Sequence, residues 1–176
     1  IHVLAYRFIN ATYSSAHGEI DFVYDIARLD EKLLLNELKA RGLRPRFVNV
    51  EEIYIPDGVR DVGVIRVAAR SRVIPLAFTY EHRGGISINS ASSLVISHDK
   101  YLTYLKLREV GVPTPETYLV FSREAARAVA EKLAYPVIVK PTDGSWGRLV
   151  NLVKSEEDLS TLLAHRLAMD SQMHLF

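Results

Sequence analysis

Four short apolar runs, spaced by helix-type or turn-type sequence, constrain the fold of this chain more than any other feature. Ile20 to Tyr24, Phe47 to Val50, Val62 to Val67 and Ile86 to Ile88 each read as a strand. After the first, Ile26, Leu29, Leu33 and Leu38 recur among helix-favouring neighbours and mark an amphipathic helix. Gly42 is its expected C′ residue. Pro56-Asp57-Gly58 reads as a turn. Val62 to Val67 is apolar enough to be buried on both faces. Ser71 can cap a helix running to about His82, with Pro75 in or near its first turn, and Arg83-Gly84-Gly85 ends it. Strands alternating with helices give a parallel sheet with crossover helices, so the expected class is α/β.

Two more helices follow. Ser90 can cap the first, about Ala91 to Ile96, and the second runs from about His98 to Val110, closed by Gly111. The pattern restarts after Val112 to Pro115. Thr117 to Phe121 reads as a strand, and Ser122 caps a helix over Ala125 to Leu133. Val137 to Lys140 and Leu149 to Val153 read as a hairpin. Ser155 caps a last helix whose first turn is acidic, Glu156-Glu157-Asp158. This second module is antiparallel α+β.

Bulk properties exclude several classes. With 176 residues and 48% hydrophobic content, the chain suits one large domain or two small ones. A formal net charge of +1 with scattered lysines and arginines gives no support for a nucleic-acid or membrane-surface binder. The absence of cysteine rules out disulfides, thiolate metal sites and a cysteine nucleophile, and it fits a cytoplasmic protein. No apolar run approaches the roughly 18 residues of a membrane span. Residues 1–18 are expected to be a poorly ordered leader. The run Gln172 to Phe176 looks like an entering strand, so the chain reads as incomplete at its C-terminus.

The stretch from Pro136 to Arg148 carries chemistry. An apolar strand ends in Lys140. Pro141-Thr142-Asp143-Gly144-Ser145-Trp146-Gly147-Arg148 follows, then the second apolar run. Such a tip suits phosphate. Gly144 and Gly147 allow close approach and positive φ. Successive backbone N–H groups form anion-binding concavities, and Lys140 and Arg148 set positive charge at the rim. An ordinary turn beside a lysine is the competing reading. A Walker loop is excluded, because no Gly-Lys-Ser/Thr follows and strand rather than helix comes next.

Lys100 opens a helix after Ser97-His98-Asp99. A solvated helix residue is its plain alternative, as a surface lysine is for Lys140. A polyphosphate between the two modules would draw on both ammonium groups and the loop N–H donors together. Trp146, the only tryptophan, sits at the tip and is expected to cover a ligand or a neighbouring module. The six histidines show no i,i+4 metal spacing, and no serine lies in a nucleophile elbow. Arg66 lies near the carboxyl end of the third strand, where open α/β sheets bind ligands. It can pair with a substrate carboxylate or serve in a structural ion pair.

These parts, in order, resemble the front half of an ATP-grasp ligase. They are a small α/β pre-domain, Asn89-Ser90, Asp99-Lys100 opening a helix, Gly111-Val112-Pro113-Thr114-Pro115, Pro136-Val137-Ile138-Val139-Lys140-Pro141, and the glycine loop. The loop Gly144-Ser145-Trp146-Gly147-Arg148 is most similar to the LysX type. That group joins α-aminoadipate, or glutamate in its ArgX relatives, to the carrier protein LysW. RimK, which adds glutamate to a ribosomal protein tail, is a more distant cousin. The resemblance covers about Glu19 to the C-terminus. It implies a pre-ATP-grasp parallel-sheet domain over 19–97, followed by an incomplete α+β ATP-grasp subdomain over 98–176.

The resemblance also implies a chemistry. ATP would phosphorylate the C-terminal glutamate side chain of a small acidic LysW-like carrier. The amino group of an amino-acid substrate would attack the acylphosphate, in lysine or arginine biosynthesis. Lys100 and Lys140 match the two family lysines that contact ATP phosphates. Gly144, Ser145, Trp146, Gly147 and Arg148 match the loop that closes over them. Mg²⁺ would bridge the phosphates. Its ligands and the catalytic residues are expected beyond Phe176, since Asp143 and Glu156 stand alone in a loop and a helix start. No nucleic acid or membrane partner is implied, and a homo-oligomer is left open. On this reading the complete protein is the enzyme and this chain alone is inactive. The alternatives are a non-catalytic remnant that at most binds nucleotide, and a RimK-like glutamate ligase.

Overall fold

A computed structural model describes residues 19–53, 59–144 and 147–168. The chain divides into two compact units, Ile1–Val95 and Ile96–Phe176. The expected leader over 1–18, the Pro56-Asp57-Gly58 turn and the entering strand at Gln172 to Phe176 lie outside the described residues.

The described part of the first unit is a parallel sheet. Its strands are β1 (Glu19–Tyr24), β2 (Arg44–Asn49), β3 (Val62–Arg66) and β4 (Ile86–Ile88), in the order β2-β1-β3-β4. Helices α1 (Leu29–Ala40) and α2 (Arg70–His82) connect successive strands, and α3 (Ala91–Ser97) follows β4. Side-chain alternation along β1 sorts the core into two layers. Ile20 and Phe22 pack with Leu35 and Leu38 of α1. Val23 packs with Leu76, Ala77 and Tyr80 of α2 and Leu94 of α3. Each fully buried Ile, Val or Leu contributes about 1.5–3 kcal/mol relative to exposure. Burial on both faces explains the near-continuous apolar reading of β3, whose first four residues are buried.

Helix ends follow the sequence at Gly42, which takes φ +81° directly after the C-cap Arg41. They depart from it at α2. Ala69, not Ser71, holds the N-cap position, and its carbonyl accepts from the N–H groups of Arg72 and Val73. Pro75 therefore sits in the second turn rather than the first.

The second unit holds α4 (Lys100–Glu109), α5 (Arg123–Leu133), the antiparallel pair β5 (Val137–Val139) and β6 (Asn151–Val153), and α6 (Glu156–Ala168). Ser122 accepts from the Ala125 N–H and Ser155 from the Asp158 N–H, so both expected caps form. Ala126, Ala130, Val137, Val139, Val153, Leu159 and Leu163 make one core. The expected strand at Thr117 to Phe121 does not form. Among the described residues β5 and β6 ladder only with each other, so this segment has no ladder partner. Its Val120 is still buried in the core.

Candidate functional site

Asp99 fixes the start of α4. Its carboxylate accepts from the backbone N–H groups of Tyr101 and Leu102, both at 2.9 Å. Satisfying those two orphan donors makes Lys100 the first residue of the helix. Three bonds then tie Lys100 to the loop after β5. Its backbone N–H donates to Thr142 O at 2.7 Å. Its ammonium donates to Gly144 O at 2.7 Å and to Asp143 O at 3.2 Å.

Strand alternation places the second lysine. Val137 and Val139 turn into the core, so Ile138 and the following Lys140 take the opposite side. Lys140 stands one residue past the end of β5, and it lines a cavity that Lys100 also lines. The cavity measures about 650 Å³ and lies within the second unit. Tyr104, Leu107, Pro136 and Ile138 give it apolar wall, while Thr103, Thr117 and Glu116 add hydrogen-bonding groups. That volume and lining suit a small-molecule site.

Electrostatics favour an anion in it. Burial pushes the Lys100 ammonium below the ordinary lysine range, and the nearby Lys140 charge pushes it the same way, while Asp143 and Asp99 oppose them. Two like charges on residues that line one cavity would be relieved by a bound polyanion. The donor set therefore fits a polyphosphate.

The remaining expected site residues are placed as follows. Gly144 and Gly147 take φ +97° and +68°, conformations that glycine adopts without strain. Gly144 joins the site through the Lys100 bond. Gly147 and Arg148 belong to an exposed turn and are not among the cavity-lining residues. Ser145 and Trp146 lie outside the described residues. Arg66 ends β3, and two carboxylates already hold it, Asp30 at 2.6 Å and Glu31 at 2.9 Å. Among the described residues no group of three His, Asp or Glu could hold a metal ion. Sequence reasoning missed Tyr104, Glu116 and Thr117, which carry no motif and reach the cavity only through folding.

The chain is similar to several known proteins. Residues 99–174 match the model of the carbamoyl-phosphate synthase L chain, ATP binding domain. The chain is 34% identical over 154 residues to the glutamate–LysW ligase ArgX of Sulfolobus acidocaldarius, covering 85% of this chain and 55% of that protein. It is 30% identical to the α-aminoadipate–LysW ligase LysX of Sulfurisphaera tokodaii, covering 82% and 53%. A RimK domain ATP-grasp protein from Sphaerobacter thermophilus superposes with a TM-score of 0.75 at 23% identity, over 89% of this chain and 63% of that one. The chain belongs to the ATP-grasp family. The LysX and ArgX ligases are among its relatives, and it spans about half their length. The ATP-grasp match begins at Asp99, the residue that caps α4, and takes in both cavity lysines. Among the described residues no helix is long and apolar enough to cross a membrane.

Proposed function

We propose that the complete protein is an ATP-dependent carboxylate–amine ligase, and that the cavity of Lys100 and Lys140 takes the nucleotide. The observation that carries this reading is the pair of lysines on one cavity in an ATP-grasp chain. ATP supplies the phosphoryl group that activates a carboxylate for attack by an amine. The two ammonium groups hold and neutralise the phosphates. Tyr104, Leu107, Pro136 and Ile138 offer an apolar wall for the base. Mg²⁺ belongs to the same reading as a counter-ion of the phosphates.

The names of the relatives point to the other substrates. ArgX and LysX are named for joining glutamate and α-aminoadipate to LysW. We assign this protein an acidic amino acid of that kind and a small acidic carrier whose C-terminal glutamate side-chain carboxylate is activated. The test is direct. The complete protein is incubated with ATP, Mg²⁺, a LysW-type carrier and either amino acid, and the carrier is weighed by mass spectrometry. A gain of one amino-acid residue, dependent on ATP, is expected. An unchanged carrier mass with both amino acids contradicts the assignment.

A further inference from the structure

The bonds from Lys100 to the loop do more than place a charge. A lysine ammonium has three donors, and here two are spent on the carbonyls of Asp143 and Gly144. The backbone N–H of the same residue holds Thr142, which is buried. One residue at a helix start thus grips three consecutive loop carbonyls. The Asp143–Gly144 peptide is trans. Its carbonyl faces the ammonium, so its N–H faces away from it. In this arrangement the Lys100 ammonium and the Gly144 N–H point to different sides and cannot serve the same anion.

We propose that Lys100 is a positioning residue that latches Thr142–Gly144, and that a polyphosphate opens the latch by competing for its ammonium. The latch stands on the bonds above, and only the identity of the competitor rests on the nucleotide reading. The ammonium carries its charge into either bond, and a phosphate oxygen adds the attraction of a full negative charge that a neutral carbonyl lacks. Once the ammonium leaves, the Asp143–Gly144 peptide is free to turn over. Gly144 at φ +97° permits that rotation, and among the described residues nothing beyond its chain neighbours lies within 4 Å of where a Cβ would stand. The exchange then brings the Gly144 N–H round to the same side as the ammonium. Lys140 adds to the drive, because its charge makes the ammonium beside it seek an anion.

Backbone ¹⁵N relaxation on this chain tests the latch without nucleotide. In the wild type the Asp143 and Gly144 amides are expected near the rigid order parameter of about 0.85. In Lys100→Met they fall below about 0.6. Lys100→Arg, which keeps donors for both carbonyls, restores them, and Lys140→Met leaves them high. The amides of Ala126, Ala130, Val139 and Val153, in the core of the second unit, report folding. Where Lys100→Met loses their dispersion, Lys100→Ala takes its place. A wild-type Gly144 already below about 0.6, or a Lys100→Met loop as rigid as wild type, overturns the latch. Addition of ATP with Mg²⁺ then separates the two ideas. Shifts at Asp143 and Gly144 that saturate with the cavity shifts support opening. Cavity shifts without them overturn it. No shift at any residue sinks the nucleotide reading, while the order parameters still decide the latch.

Discussion

The hydroxyl of Tyr80 donates to Oδ2 of Asp21 at 2.8 Å, with both side chains wholly out of solvent. Burial, with the Asp21 carboxylate beside it, pushes the Tyr80 phenol far above its usual range. Asp21 also accepts a two-pronged bond from Arg46, at 2.7 and 3.0 Å, and the Arg60 N–H at 2.8 Å. A buried carboxylate survives only when paired and hydrogen-bonded, and this one has four donors. The parallel register sets Arg46 opposite Asp21 on β2 and Gly63 opposite it on β3. The network is a structural anchor at the start of β1.

Tyr80→Phe removes one hydrogen bond to a charged acceptor and should cost about 1.5–3 kcal/mol of stability. Asp21→Ala should cost more, because it strands the Tyr80 hydroxyl in the core and removes the carboxylate that Arg46 and the Arg60 N–H share. Urea unfolding followed by circular dichroism measures both. Equal midpoints for wild type and Tyr80→Phe would remove the anchor role.

Gly63→Ala should destabilise by about 1–3 kcal/mol, the usual cost of overpacking. A Cβ there would stand 2.6 Å from Cζ of Tyr80, whose ring Asp21 holds in place. Gly63 is small because the tyrosine crosses β3 at that point to reach Asp21. Tyr80→Leu in the Gly63→Ala background should recover part of the loss, and an additive double mutant would contradict the account.

Much of the first unit was legible because its strands are apolar on both faces and its crossovers carry helical spacing. The Asp21 network was not. Arg46 lies 25 residues from its partner and Tyr80 lies 59 away, so only register brings them together. In the second unit Ser122 and Ser155 were readable as caps because capping is local. Thr117 to Phe121 looked like a strand from side chains alone, but a strand also needs a ladder partner. Lys100 and Lys140 were legible through their motifs. That Lys100 would grip the Gly144 carbonyl was not, since it depends on Asp99 fixing the helix start. Arg66 was read at the ligand edge of the sheet, where α1 supplies Asp30 and Glu31 to hold it.

Nucleotide affinity should fall with pH earlier than an ordinary lysine would make it fall. Lys100 sits below the usual lysine range, so its charge is lost sooner as pH rises. Between that lowered value and the ordinary one, the unfolded chain binds more protons than the folded chain, so folding gains stability with rising pH. Phosphate binding favours the protonated lysine and runs the other way. Calorimetric titration of ATP across alkaline pH should show proton uptake and weakening affinity. Lys100→Arg should flatten the profile, and a profile unchanged by that substitution would show that another group titrates.

Arg66→Ala should act on the first unit alone. It frees the almost buried Glu31 carboxylate, leaving it the Arg28 N–H as a donor. The expected result is a lowered unfolding midpoint. A large rise in KM for the amino acid with unchanged stability would instead assign Arg66 to substrate.

The central claim is that Lys100 and Lys140 share the phosphates of one nucleotide. Steady-state ADP formation by the complete protein carrying Lys140→Ala tests it most directly. Loss of one such contact with developing charge typically costs about 2.7–4 kcal/mol, a fall of roughly a hundred- to a thousand-fold in turnover. Turnover and KM for ATP close to wild type would contradict the claim and return the loop after β5 to an ordinary connection between two strands.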